Sequence, residues 1–94
     1  MNNIENIKKI LIKVLMEHEV KKAALFGSIV RGEETEDSDI DLLIEFKGRK
    51  SLFDLAGLKL ELQELLRRKV DVVTYKSLHP LLKERILSEE EVIL

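Results

Sequence analysis

The sequence predicts an α/β domain in which helices pack on a small sheet, and three observations predict it. Segments with helical apolar spacing alternate along the chain with short runs rich in β-branched residues. The 94 residues are enough for one hydrophobic core, so residues 1–94 are expected to form a single domain. A composition of 45% apolar and 36% charged residues suits a folded chain rather than a disordered one.

From Ile4, the apolar residues Ile7, Ile10, Leu11, Val14 and Leu15 recur at the spacing that lines one face of a helix. Lys8, Lys9, Lys13 and Glu17 fall on the water side. After Glu19 the pattern changes to "VKKAALFGS", an apolar run closed by Gly27, which reads as a buried strand ending in a turn. "IVRGEETED" is a polar connection with room for one helical turn. In "SDIDLLIEF" strict alternation puts Asp39, Asp41, Leu43 and Glu45 on one side and Ile40, Leu42, Ile44 and Phe46 on the other.

"KGRK" supplies a turn. Ser51 followed by Asp54 resembles a capping box that opens a helix through Leu55, Leu58, Leu62, Leu65 and Leu66, with Gly57 weakening it slightly. Phe53 and Leu60 give this helix apolar residues on a further face, a stripe for the core or for a partner. "KVDVVTY", Lys69 to Tyr75, makes a third strand in which Asp71 shares a face with Val73 and Tyr75. "SLHPLLKERIL" is a last helix, with Ser77 or His79 as cap and Pro80 in the first turn, where a missing amide costs little. "EEEVIL" leaves room for a short terminal strand.

Composition also excludes chemistry. No cysteine is present, which removes disulfides, thiolate zinc sites and cysteine nucleophiles together. Only His18 and His79 remain as soft ligands. They read as a charge near the end of the first helix and a helix cap. A net charge of −2 with both signs interspersed lacks the broad cationic field of nucleic-acid binders, so direct nucleic-acid binding is not expected. The first residues carry charge throughout and no run is apolar enough to span a membrane, so a cytoplasmic protein is expected. The excess of Glu and Lys is a feature shared with thermophile proteins.

Three of the five aspartates, Asp39, Asp41 and Asp71, fall in predicted strands, where aspartate is depleted. Two positions apart on a strand, Asp39 and Asp41 point the same way, roughly 6 to 7 Å apart, near enough to grip a shared cation. Carboxylates are hard ligands suited to Mg2+ or Mn2+, and a pair joined by a third acid from a neighbouring strand can clamp two ions around a phosphoryl-transfer centre. Asp71 is the natural third acid, able also to help deprotonate an attacking hydroxyl. The competing account is that Asp39 ends a turn, Asp41 lies on a solvated face and Asp71 is an edge-strand charge.

Gly27 lets the backbone approach a phosphate with no Cβ in the way, and Ser28 offers an amide and a hydroxyl to the same anion. A helical turn over residues 29–31 would add free amides, and Arg31 a charge, unless Arg31 pairs with Glu33, Glu34, Glu36 or Asp37. "GSIVRG" also fits half of a Walker A loop, but Glu33 and Glu34 stand where that loop needs Lys and then Ser or Thr. Sugar transferases with Asp-x-Asp need a much longer chain.

Gly27-Ser28, then Ser38 and Asp39-x-Asp41, then "VDVV" with Asp71, together closely resemble the minimal nucleotidyltransferases of the DNA polymerase β superfamily. The resemblance runs from about Val20 to Tyr75. It implies the nucleotidyltransferase fold, a mixed sheet of three core strands with helices packed on it. It implies transfer of a nucleoside monophosphate from a triphosphate to a hydroxyl, with Asp39, Asp41 and Asp71 holding Mg2+ (two ions, or Mn2+) and Gly27, Ser28, Arg31 and Ser38 at the nucleotide. At Ile29 and Val30 relatives often carry an aromatic and a small residue, a departure that touches no metal ligand.

Larger members append an acceptor-binding domain. Small members resemble antitoxins that place AMP from ATP on a tyrosine hydroxyl of a HEPN-type ribonuclease toxin, in a hetero-oligomer. Two alternatives stay open: neutralisation of a partner by binding alone, and transfer to a small molecule or nucleic acid with a homodimer completing the site.

Overall fold

The computed structural model describes residues 4–27 and 39–94. Helix α1 (Ile4–Glu17) leads into strand β1 (Val20–Phe26), and β2 (Ile40–Phe46) into helix α2 (Leu52–Leu66). Strand β3 (Val70–Thr74), a 3-10 turn (Tyr75–Ser77), helix α3 (Pro80–Glu89) and strand β4 (Glu91–Val92) complete the order. The sheet runs β3-β2-β1-β4 and is mixed: β1 is antiparallel to β2 and β4, while β2 and β3 are parallel. The parallel pair is possible because α2 is the crossover between its strands.

Helix α1 ends abruptly because Glu19 adopts a left-handed φ of 61°, a conformation costly for a residue with a Cβ. Lys50 holds Glu19 by an ion pair of 2.5 Å, and that contact keeps the Glu19 carboxyl below its usual pKa. Helix α2 starts on the predicted capping box: the Ser51 amide donates to Asp54 Oδ2 at 2.8 Å and the Asp54 amide to Ser51 Oγ at 3.3 Å. It closes at Arg67, whose left-handed φ of 54° lets its amide donate to the Gln63 carbonyl at 2.8 Å.

The core lies between one sheet face and the two long helices. Ala23 and Leu25 of β1, Ile40, Leu42 and Ile44 of β2, and Val70 of β3 meet Ile7, Leu11, Val14 and Leu15 of α1 and Leu58 and Leu62 of α2. The helical and strand periods read from the sequence select these residues. The opposite face carries the aspartates, yet Ala24 and Leu43 on it are also fully buried.

Several expectations shift. Lys8 does not face open water; it forms an ion pair with Glu91, fastening α1 to β4, and that contact raises its pKa. His18 Nε2 meets Glu61 Oε1 at 2.8 Å, tying α1 to α2. Leu65 shares the stripe of the buried Leu58 and Leu62 but is 52% exposed, near the C-terminal end of the helix. Strand β3 stops at Thr74, and Tyr75 opens the 3-10 turn. His79, not Ser77, caps α3: its Nδ1 accepts from the Leu81 amide at 3.1 Å. The terminal strand forms, as β4. No described helix is long and apolar enough to cross a membrane.

Candidate active site

Register decides which acids meet. In the parallel pair β2–β3, Asp41 stands directly beside Asp71, so both side chains leave the same face about 4.8 Å apart at the strands. Asp39 immediately precedes β2, and the bond from the Ile40 amide to the Lys69 carbonyl, 3.0 Å, already ties this stretch to the start of β3. Two positions before Asp41, Asp39 shares its side of the sheet. The chain thereby gathers its three strand aspartates at the N-terminal ends of two adjacent parallel strands.

Gly27 fits against this row. Its φ is +80°, and a Cβ built there would lie 2.3 Å from Asp41 Oδ2. Both backbone conformation and space therefore demand glycine. Phe26 is the register partner of Asp41 on β1, so the turn begins where the carboxylate stands. Ser28, Arg31 and Ser38, together with Ile29 and Val30, lie outside the described residues.

Two lysines not singled out in the sequence complete the site. Lys69 Nζ lies 3.9 Å from Asp39 Oδ2, and Lys59 Nζ lies 3.9 Å from Asp71 Oδ1. Lys69 precedes Asp71 by two positions, as Asp39 precedes Asp41, so the register that pairs the aspartates also brings Lys69 beside Asp39. These ammonium groups offset the mutual repulsion of the acids. Among the described residues no three acidic or histidine side chains converge into a ready-made metal cluster. The donor chemistry nevertheless suits a hard divalent cation: Asp39, Asp41 and Asp71 supply oxygen ligands only, half exposed at Asp39 and Asp71.

A cavity of about 840 Å³ lies elsewhere, at the C-terminal ends of β2 and β3, between Glu45, Phe46, Tyr75 and the start of α2. There the Tyr75 hydroxyl donates to Glu90 Oε2 at 2.9 Å and Lys22 sits over its ring at 4.8 Å from the centroid. Burial, helped by the Glu90 carboxylate, pushes the Tyr75 hydroxyl well above its usual pKa. The aspartates sit at the other end of the strands, so this cavity is not where they act.

The family model of polymerase beta nucleotidyltransferases matches residues 5–94. The chain belongs to this family. As a nucleotidyltransferase it is similar to a Methanocaldococcus jannaschii protein named as a candidate protein adenylyltransferase, 56% identical over 87 residues that cover 93% of this chain and 94% of the relative. A solved structure of a candidate minimal nucleotidyltransferase is 38% identical, with a TM-score of 0.82, covering 94% of this chain and 90% of that one. The nucleotidyltransferase fold also matches, at a TM-score of 0.77 and 20% identity, a complex of a tri-AMPylated Shewanella oneidensis HEPN toxin with its MNT antitoxin, covering 96% of this chain and 71% of that one. The mixed four-stranded sheet is the sheet of that fold.

Proposed function

We propose that this nucleotidyltransferase transfers AMP from ATP to a tyrosine hydroxyl of a HEPN-type ribonuclease toxin and acts as its antitoxin. The observation that carries the reading is the register of Asp41 against Asp71, beside a glycine whose missing Cβ leaves room for the Asp41 carboxylate. Relatives named for protein adenylylation and an AMPylated HEPN toxin held by a protein of the same fold support the choice of acceptor.

In this reading Asp39, Asp41 and Asp71 hold Mg2+, two ions with Mn2+ as a substitute, which would neutralise charge on the phosphates and lower the barrier to displacement. Gly27 brings the backbone close to the triphosphate. Ser28, Ser38 and Arg31 are assigned hydrogen bonds and charge at its oxygens, and Lys59 and Lys69 add cations at the rim. The acceptor oxygen attacks the α-phosphorus, the bond from that phosphorus to the bridging oxygen breaks, and pyrophosphate leaves with the electron pair. Asp71 takes the proton of the attacking hydroxyl and passes it to water.

The test is intact-mass analysis of the co-encoded helical protein after incubation with this chain and MgATP. One or more added AMP groups are expected, and none with Asp39→Asn or Asp41→Asn. An unmodified partner that is still neutralised by the Asn variants would mean inhibition by binding alone.

A further inference from the structure

The cavity of about 840 Å³ at the C-terminal ends of β2 and β3 takes no part in the aspartate site, and its lining is unlike the rest of the chain. Lys21, Arg49, Lys50 and Lys76 line it against a single acid, Glu45, in a protein whose net charge is −2. Glu45 is met by Lys21 at 3.8 Å, and Lys50 is held by Glu19. Arg49 and Lys76 form no ion pair among the described residues. They come from separate segments, the turn between β2 and α2 and the 3-10 turn after β3, and both are exposed. Two unpaired cations at one hollow favour an anion there.

The walls say what that anion carries. Phe46 and Tyr75 are two of the four aromatic residues of the chain, and both line this hollow with Leu52 and Leu55. Leu52 is 82% exposed, an apolar surface left open at the start of α2. Lys22 covers one face of the Tyr75 ring, so that ring offers its other face or its edge. The lining hydroxyls are already engaged: Tyr75 donates to Glu90, Thr74 to Ser77 Oγ, Ser77 to the Thr74 carbonyl and Ser51 to Asp54. The donors left for a ligand are therefore a guanidinium fork and an ammonium, which match phosphate. We propose that this cavity is a second nucleotide site, which holds a nucleoside phosphate with its base among Phe46, Leu52 and Tyr75 and its phosphate on Arg49 and Lys76. Aromatic surface beside arginine suits a flat base, and the volume lies in the range of small-molecule sites. No metal ion is needed, because the phosphate meets cations directly and the one lining carboxylate already faces Lys21. The site is separate from the catalytic one. Ile44, Phe46 and Leu55 of its lining belong to the core between sheet and helices, the side opposite the aspartates, and the four strand positions from Asp41 to Glu45 add about 13 Å.

The test isolates this site from the catalytic one. The isotope-labelled full chain carrying Asp39→Asn and Asp41→Asn is titrated in EDTA with AMP, with ATP and with inorganic pyrophosphate, and amide shifts are followed by NMR. AMP and ATP should both shift amides of residues 48–52 and 74–77, with a Kd of about 1 mM or below. Pyrophosphate, which has no base to stack, should bind at least about tenfold more weakly. Arg49→Glu and Lys76→Glu should each weaken AMP about tenfold or more, and Leu52→Ser should weaken it too, all with unchanged far-ultraviolet circular dichroism because the three positions are exposed. Amides of these segments that stay still up to about 10 mM AMP overturn the proposal. So does binding that survives both charge reversals, or pyrophosphate binding as tightly as AMP, the mark of a site for a bare anion. These titrations involve no transfer, so their failure leaves the adenylylation assay standing, and failure of that assay leaves them standing.

Discussion

Gly27 joins backbone geometry to chemistry, because its positive φ and its closeness to Asp41 exclude any side chain. Gly27→Ala is expected to push the Asp41 carboxylate aside and lower adenylyl transfer about 100-fold, the order of loss that a displacement of one ångström brings, as read by AMP incorporation from labelled ATP. Asp71→Asn should separate function from folding. It removes the proposed proton acceptor, so transfer should fall by about 100-fold or more, whereas denaturation should move by less than about 0.5 kcal/mol, since Asp71 is half exposed and relieved of Asp41 as it loses Lys59. The three aspartates and Gly27 were legible in the sequence because aspartate is out of place in strands and glycine after an apolar run announces a turn. Lys59 and Lys69 were not, since a lysine at a strand start or on a helix is ordinary until register shows which carboxylate it meets.

Among the elements, α2 is the most informative. Its start was legible from Ser51 and Asp54, and both reciprocal bonds formed. Ser51→Ala should lower stability by about 1 kcal/mol in urea denaturation. The Ser51 amide, then its hydroxyl, hold the Asp54 carboxyl below its ordinary pKa. A lowered folded pKa means the stabilisation is complete above the ordinary aspartate range and lost as acid carries the pH down through the folded value. The stability difference between Asp54→Asn and the unmodified chain should therefore be flat near neutrality and shrink on strong acidification. Gly57→Ala should stabilise by about 0.5 to 1 kcal/mol, visible as a raised Tm, because the backbone is helical and the space open. The cap of α3 was ambiguous in sequence because Ser77 and His79 both suit an N-cap. The 3-10 turn resolves it by engaging the Ser77 hydroxyl with the Thr74 carbonyl at 3.0 Å.

For the whole molecule, strand content and core membership followed from apolar periodicity, but strand order did not. Nothing in the residues of β2 and β3 alone says that they run parallel; that follows from α2 packing back over the sheet between them, and the meeting of Asp41 with Asp71 depends on it. The inward residues of β2 form the centre of this arrangement, so Leu42→Ala, at a fully buried position, should cost about 2 to 5 kcal/mol, measured by thermal or urea unfolding. The pairing of Leu25 with Glu91, and of Ala24 with Val92, carries one more consequence. The outer rim of β1 is shielded by a segment made about two-thirds of the chain later, so a nascent polypeptide halted before residue 91 presents unsatisfied amides and carbonyls along β1. Such truncated products are prone to stick to one another through that rim.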